Sequence, residues 1–208
     1  MPADVGRALA HQPAGASPRF LLGYDVPEHL GQQAETAAMG LGDPLAFFIT
    51  WTVYGSYLQG DERGWRRRRQ GNQLPQPCLA RWRRERLKYD VILLSPAARE
   101  VVETECHRHC DHRGWHMCAV NARSNHVHAV VAADGYSGAI VRDQLKANCT
   151  RGLRERWRDF CDRDVWTVGG DWSCINLEED LEEVCLYVRE AQDRMEYRHS
   201  GERPAGGL

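Results

Sequence analysis

A chain of 208 residues with 42% hydrophobic content can bury one core of ordinary size. Its formal charge of −2 does not announce a nucleic-acid binder, although that charge is unevenly spread. No stretch is long and apolar enough to span a bilayer, and the amino-terminal segment lacks the basic and apolar regions of a signal peptide.

Residues 1–43 mix Ala, Gly, Gln and Pro without sustained periodicity, which predicts a flexible extension before a single domain over 44–198. Residues 199–208 read as a flexible tail. Ala46 to Tyr54 is rich in aromatic and β-branched residues and predicts a strand. From Gly55 to about residue 90 follows a polar insertion with no convincing period. It is densely basic: Arg66, Arg67, Arg68 and Arg69, then Arg81, Arg83, Arg84, Arg86 and Lys88, with Glu85 the only acid from Trp65 to Lys88. Such asymmetry suggests an anionic partner on one surface.

Ser95 followed by Pro96 predicts a capped helix running to the Arg113-Gly114 stop. Trp115–Val120 and His126–Ala132 read as strands joined by a polar turn, Asn121–Asn125, to make an antiparallel hairpin. Helical spacing returns from Gly138 to Phe160 through Val141, Leu145, Cys149, Leu153 and Trp157. A short strand is expected near Val165–Val168, ahead of the Gly169-Gly170 turn. A last helix begins near Asn176, with acids at the positive end of its dipole. The order predicts an α+β fold, ferredoxin-like (RRM-like), with an antiparallel sheet, helices on one face, the other face available to a ligand, and an added C-terminal helix.

Eight scattered cysteines without an export signal read as reduced thiols in a cytoplasmic protein. Cys106 and Cys110 could share a helical face, but no second ligand pair completes a structural zinc site.

The chemistry concentrates in the run Ser124-Asn125-His126-Val127-His128-Ala129-Val130-Val131. Strand alternation points His126 and His128 to one face and Val127 to the other, which makes half of a metal site. On the last helix Leu177, Leu181, Val184 and Val188 form a buried stripe with Tyr187 at its flank.

The pairing of Asn125-His126-Val127-His128 with Tyr187 resembles the HUH single-tyrosine transposases, the insertion-sequence-200-like and REP-associated enzymes. Three further stretches carry the resemblance: Tyr54 to Gly64, Ala119 to Ser124, and Val165 to Gly170; it spans about Ala46 to Arg194. It implies cleavage and rejoining of single-stranded or hairpin DNA by transesterification, through a 5′-phosphotyrosine on Tyr187. His126 and His128 would hold a divalent cation, Mg²⁺ or Mn²⁺. Arg66, Arg67, Arg68, Arg69, Arg123, Asn125 and Lys146 are the expected DNA contacts, nucleoid association the expected location, and monomer or homodimer stays open.

Many relatives carry Gln or Asn four residues after the tyrosine, where this chain has Ala191. On an ideal helix Glu190 lies about 60° from Tyr187 and Gln192 about 140°, so Glu190 stands slightly ahead of Gln192 as third ligand. The histidine-triad hydrolase pattern fails at Val130, where a third histidine is required. A non-cutting binder of single-stranded DNA or RNA, stacking bases on the sheet, is the alternative.

Overall fold

The computed structural model describes residues 20–21, 24–25, 43–67 and 71–191. Most of the expected extension and all of the expected tail lie outside these residues. Within the extension, β1 (Phe20–Leu21) pairs antiparallel with β2 (Tyr24–Asp25). The remaining strands are β3 (Ala46–Thr52), β4 (Trp65–Arg67), β5 (Gly71–Gln73), β6 (His116–Ala122), β7 (His126–Ala132) and β8 (Asp171–Ile175). The helices are α1 (Pro77–Arg84), α2 (Pro96–Arg113), α3 (Gly138–Arg156) and α4 (Glu178–Leu186).

Every position of β3 is apolar or β-branched, so it has no face suited to water. It accordingly runs inside a four-stranded sheet of order β6-β7-β3-β8, in which each neighbouring pair is antiparallel. Alternation then sorts its side chains. Phe47, Ile49 and Trp51 join Val127, Ala129 and Val131 of β7 in a core with Val102 and Cys106 of α2 and Leu145, Cys149 and Leu153 of α3. Phe48 faces the other way, toward Val130, Ile175, Val184 and Val188. Full burial of each such valine is worth about 1.5–3 kcal/mol, and Val184 and Val188 contribute that much each to docking the last helix on the sheet. That face is therefore not wholly open, as the sequence led us to expect, but partly covered by α4 and the turn that follows it.

The predicted caps form. Ser95 Oγ accepts from the Ala98 amide at the start of α2, and Gly114 ends that helix in the left-handed region at φ 67°. Ser137 caps α3 in the same way. The approach of α3 to β8 needs Gly138, where a Cβ would stand 2.6 Å from the Trp172 ring.

Several elements differ from expectation. The insertion contains the β4–β5 hairpin and α1, elements too short to show a hydrophobic period. The expected strand at 165–168 makes one isolated bridge, Trp166 with Val53; the fourth sheet strand is β8, beyond the Gly169-Gly170 turn. In β8 the polar Asp171 and Ser173 interrupt the apolar run that sequence reading depends on, yet Ser173 is buried against the sheet. Helix α3 ends at Arg156, because Trp157 turns extended before a short 3₁₀ turn, Arg158–Phe160. Strand β6 continues through Asn121 and Ala122, which shortens the expected polar turn.

Candidate functional site

The register of β7 fixes the two histidines. His128 stands opposite Thr50 of β3 and Asn121 of β6, and His126 stands opposite Thr52. Their ring centroids are 4.7 Å apart, and they are only 2% and 1% exposed. Each ring is oriented through Nδ1. His126 Nδ1 donates to Asn125 Oδ1 at 2.6 Å, and His128 Nδ1 lies 2.7 Å from Thr50 Oγ1. Nε2 of His128 is buried and has no hydrogen-bond partner among the described residues. Leaving such a nitrogen unpaired costs about 1–3 kcal/mol, and coordination to a Lewis acid removes that cost. Two imidazoles side by side, anchored at Nδ1 with Nε2 turned to the site at His128, fit a divalent transition-metal ion.

Tyr187 approaches from the covering helix. After Leu186 the backbone winds wider, into a π turn over Tyr187–Ala191, a local irregularity that re-aims side chains. The Tyr187 ring lies 6.0 Å from that of His128 and 6.3 Å from that of Phe48, edge-on to both. Phe48 in turn stacks on His128 at 5.4 Å. Two side-chain bonds tie this turn to β6: Asn121 Nδ2 donates to the Val188 carbonyl at 3.0 Å, and Arg189 donates to the Cys118 carbonyl at 2.6 Å. Tyrosine and histidines thus meet on one sheet face.

Burial pushes the His128 imidazole well below its ordinary value, and the charges of His126 and Arg123 push the same way. His128 is consequently a neutral imidazole, the form that donates a lone pair. Arg123 is itself buried in the β6–β7 turn, and its charge close to His128 attracts an anion to this face.

The other expected residues are dispersed. Asn125 is beside His126, where it orients the ring, and its carbonyl accepts from the Val53 amide and the Ser56 hydroxyl. Lys146 lies on α3, across the sheet; its half-buried amine donates to the Thr167 and Gly169 carbonyls, and burial lowers its pKa to about 8. Arg66 and Arg67 stand on β4, while Arg68, Arg69 and Gln192 lie outside the described residues. Glu190 is exposed, and no three His, Cys, Asp or Glu side chains gather as a metal cage among the described residues. Cys106 and Cys110 are buried in the core, with Cys106 Sγ 3.5 Å from Cys149 Sγ.

Sequence reasoning missed Thr50, Phe48, Asn121 and Arg189. Phe48 and Thr50 share the parity that later faces the histidines, a signal available once β3 is read as a strand. The pairing of β3 with β7 spans some eighty residues of chain and carries no local signal.

No protein-family model matches the chain, and no curated protein does. Among solved structures it is similar to a candidate transposase from Deinococcus radiodurans R1, at 8% identity and a TM-score of 0.42, over 80% of this chain and 96% of that one. At that distance the likeness bears on neither activity nor mechanism. No helix among the described residues is long and apolar enough to cross a membrane.

Proposed function

We propose that this chain cleaves and rejoins single-stranded DNA by transesterification, with Tyr187 as nucleophile beside a divalent-cation site on His126 and His128. The observation that carries this reading is the contact of the Tyr187 ring with His128, whose inward nitrogen has no partner among the described residues. The strand order β6-β7-β3-β8, with α2 and α3 as crossovers, supports a ferredoxin-like core.

The phenol oxygen attacks phosphorus; an O–P bond forms to the tyrosine, the bond to the 3′ oxygen breaks, and that oxygen takes up a proton to leave as a hydroxyl. The phenol proton passes to solvent. Rejoining is the reverse attack by a 3′-hydroxyl, and the phosphotyrosine conserves the bond energy. Polarisation of the scissile phosphate is what Mg²⁺ or Mn²⁺ supplies when bound to this pair, and imidazole ligands suit Mn²⁺ better. Asn125 and Thr50 hold the two imidazoles in position. Arg123 adds positive charge where the phosphate must sit.

The third ligand lies between Glu190, which is exposed, and Gln192, with Glu190 slightly ahead on helical geometry. A non-cutting binder of single-stranded DNA or RNA is the second reading, favoured by Ala191 standing where many relatives carry Gln or Asn.

Incubation of hairpin-bearing single-stranded DNA with the protein and Mn²⁺ tests the metal half of the proposal. Cleavage is expected from the wild type and is abolished in His126→Ala/His128→Ala. Equal cleavage by the double variant would show that these histidines hold no required cation.

A further inference from the structure

We infer that the exposed outer surface of the insertion, centred on Trp82 of α1, is a docking strip for single-stranded DNA. This rests on the reading above for its choice of polynucleotide, but the observations are separate from the histidine–tyrosine site. Helix α1 buries none of its residues, so it contributes nothing to the core. It nevertheless displays a tryptophan that is 45% exposed. The guanidinium of Arg86 lies over that indole at 4.1 Å from the ring centroid, and that of Arg83 at 5.3 Å.

The arrangement repeats a few residues on. Tyr89 carries Lys88 over its ring at 4.8 Å and Arg163 at 5.3 Å. From Arg81 to Lys88 there are five cations and a single acid, Glu85, all of them exposed. Aromatic faces at intervals, each flanked by cations, are what a strand of alternating bases and phosphates requires: rings for stacking and positive charge for the backbone. Guanidinium planes serve both roles.

The strip is held rigidly from beneath. Gly60, at φ +95°, lies so close under the start of α1 that a Cβ would stand 2.5 Å from the Gln76 carbonyl and 2.7 Å from the Ala80 amide. The Gln76 amide donates to the Gly60 carbonyl, and Arg83 donates to Gln59 Oε1 at 2.7 Å. Trp82 is therefore presented on a fixed element rather than on a loose loop. Charge complementarity selects the occupant: a polyanion with exposed flat bases satisfies both components, whereas duplex DNA offers its bases no route to the indole.

The test is binding of a labelled oligothymidylate of about 16 nucleotides to the full chain, followed by anisotropy over a series of salt concentrations. Trp82→Ala is expected to weaken binding about tenfold, and Trp82→Phe to recover most of the loss. Replacing Arg81, Arg84 and Arg86 by Gln is expected to reduce the salt slope by about 2, since each single-strand phosphate contact contributes about 0.7. Because α1 packs no core, thermal melts of the variants should match the wild type.

Affinity that ignores Trp82, or a salt slope unchanged by the arginine variant, overturns the inference. So does clear preference for duplex DNA or for oligouridylate. Trp82-dependent binding without any phosphotyrosine adduct refutes only the cleavage reading. An adduct with Trp82-independent binding refutes only this strip.

Discussion

Thr50 shows how one hydroxyl can set up a site it does not itself form. Its Oγ1 is the partner of His128 Nδ1, and it sits directly across the strand pair, so removing it frees the ring to rotate. Thr50→Val keeps volume and β-branching; the fold should hold, while Mn²⁺ affinity drops about 10–100-fold, as for other orienting partners of metal ligands. A Mn²⁺ titration followed by electron paramagnetic resonance reads this directly, and an unchanged affinity would mean that Thr50 orients nothing that matters. Lys146 gives a second residue-scale test. Its amine is lowered to about 8 from the ordinary lysine value of 10.5 because it is buried. Between those two values the unfolded chain binds more protons than the folded one, so stability from this group rises with pH. Below about 8 the folded state carries the cost of a buried charge. Relative to Lys146→Met, the wild type should gain thermal stability as pH rises from about 8 to 10.5, and parallel melting curves would contradict the assignment.

At the level of elements, legibility followed locality. The β6–β7 hairpin, the capped start of α2 and part of the stripe on the last helix could be read because each is specified by residues close together in sequence. Val184 and Val188 are buried as expected, whereas Leu177, at the start of α4, is exposed. Ser95 and Pro96 sit one residue apart, and His126 and His128 share a face by strand alternation alone. Strand β8 was misplaced because its burial comes from pairing with β3, over a hundred residues earlier, and because its alternating run is short and follows directly on the Gly169-Gly170 turn. The π turn was equally invisible, since Tyr187 to Ala191 has ordinary helical composition; its irregularity comes from docking on β6 through Asn121 and Arg189. Gly138 tests the packing of these elements. Gly138→Ala places a methyl against the Trp172 ring, which cannot flex away like an aliphatic chain, and about 1–3 kcal/mol of stability should be lost in urea unfolding. No loss would show that α3 and β8 can separate freely.

Taken as a whole, the molecule divides its surfaces by chemistry. One face of the sheet is sealed by α2 and α3 around a continuous apolar core, and the opposite face carries two histidines, a phenylalanine and the tyrosine of the last helix. The insertion adds a cationic, aromatic surface that the core does not need. A net charge of −2 concealed this division, because acids elsewhere balance the arginines. The central claim is that Tyr187 is the nucleophile, and mass spectrometry of the protein after reaction with single-stranded hairpin DNA and Mn²⁺ tests it most directly. A nucleotide adduct is predicted on the peptide containing Tyr187, attached through the DNA 5′ phosphate and absent from Tyr187→Phe. An adduct on any other residue, or none with DNA that the protein demonstrably binds, would contradict the account.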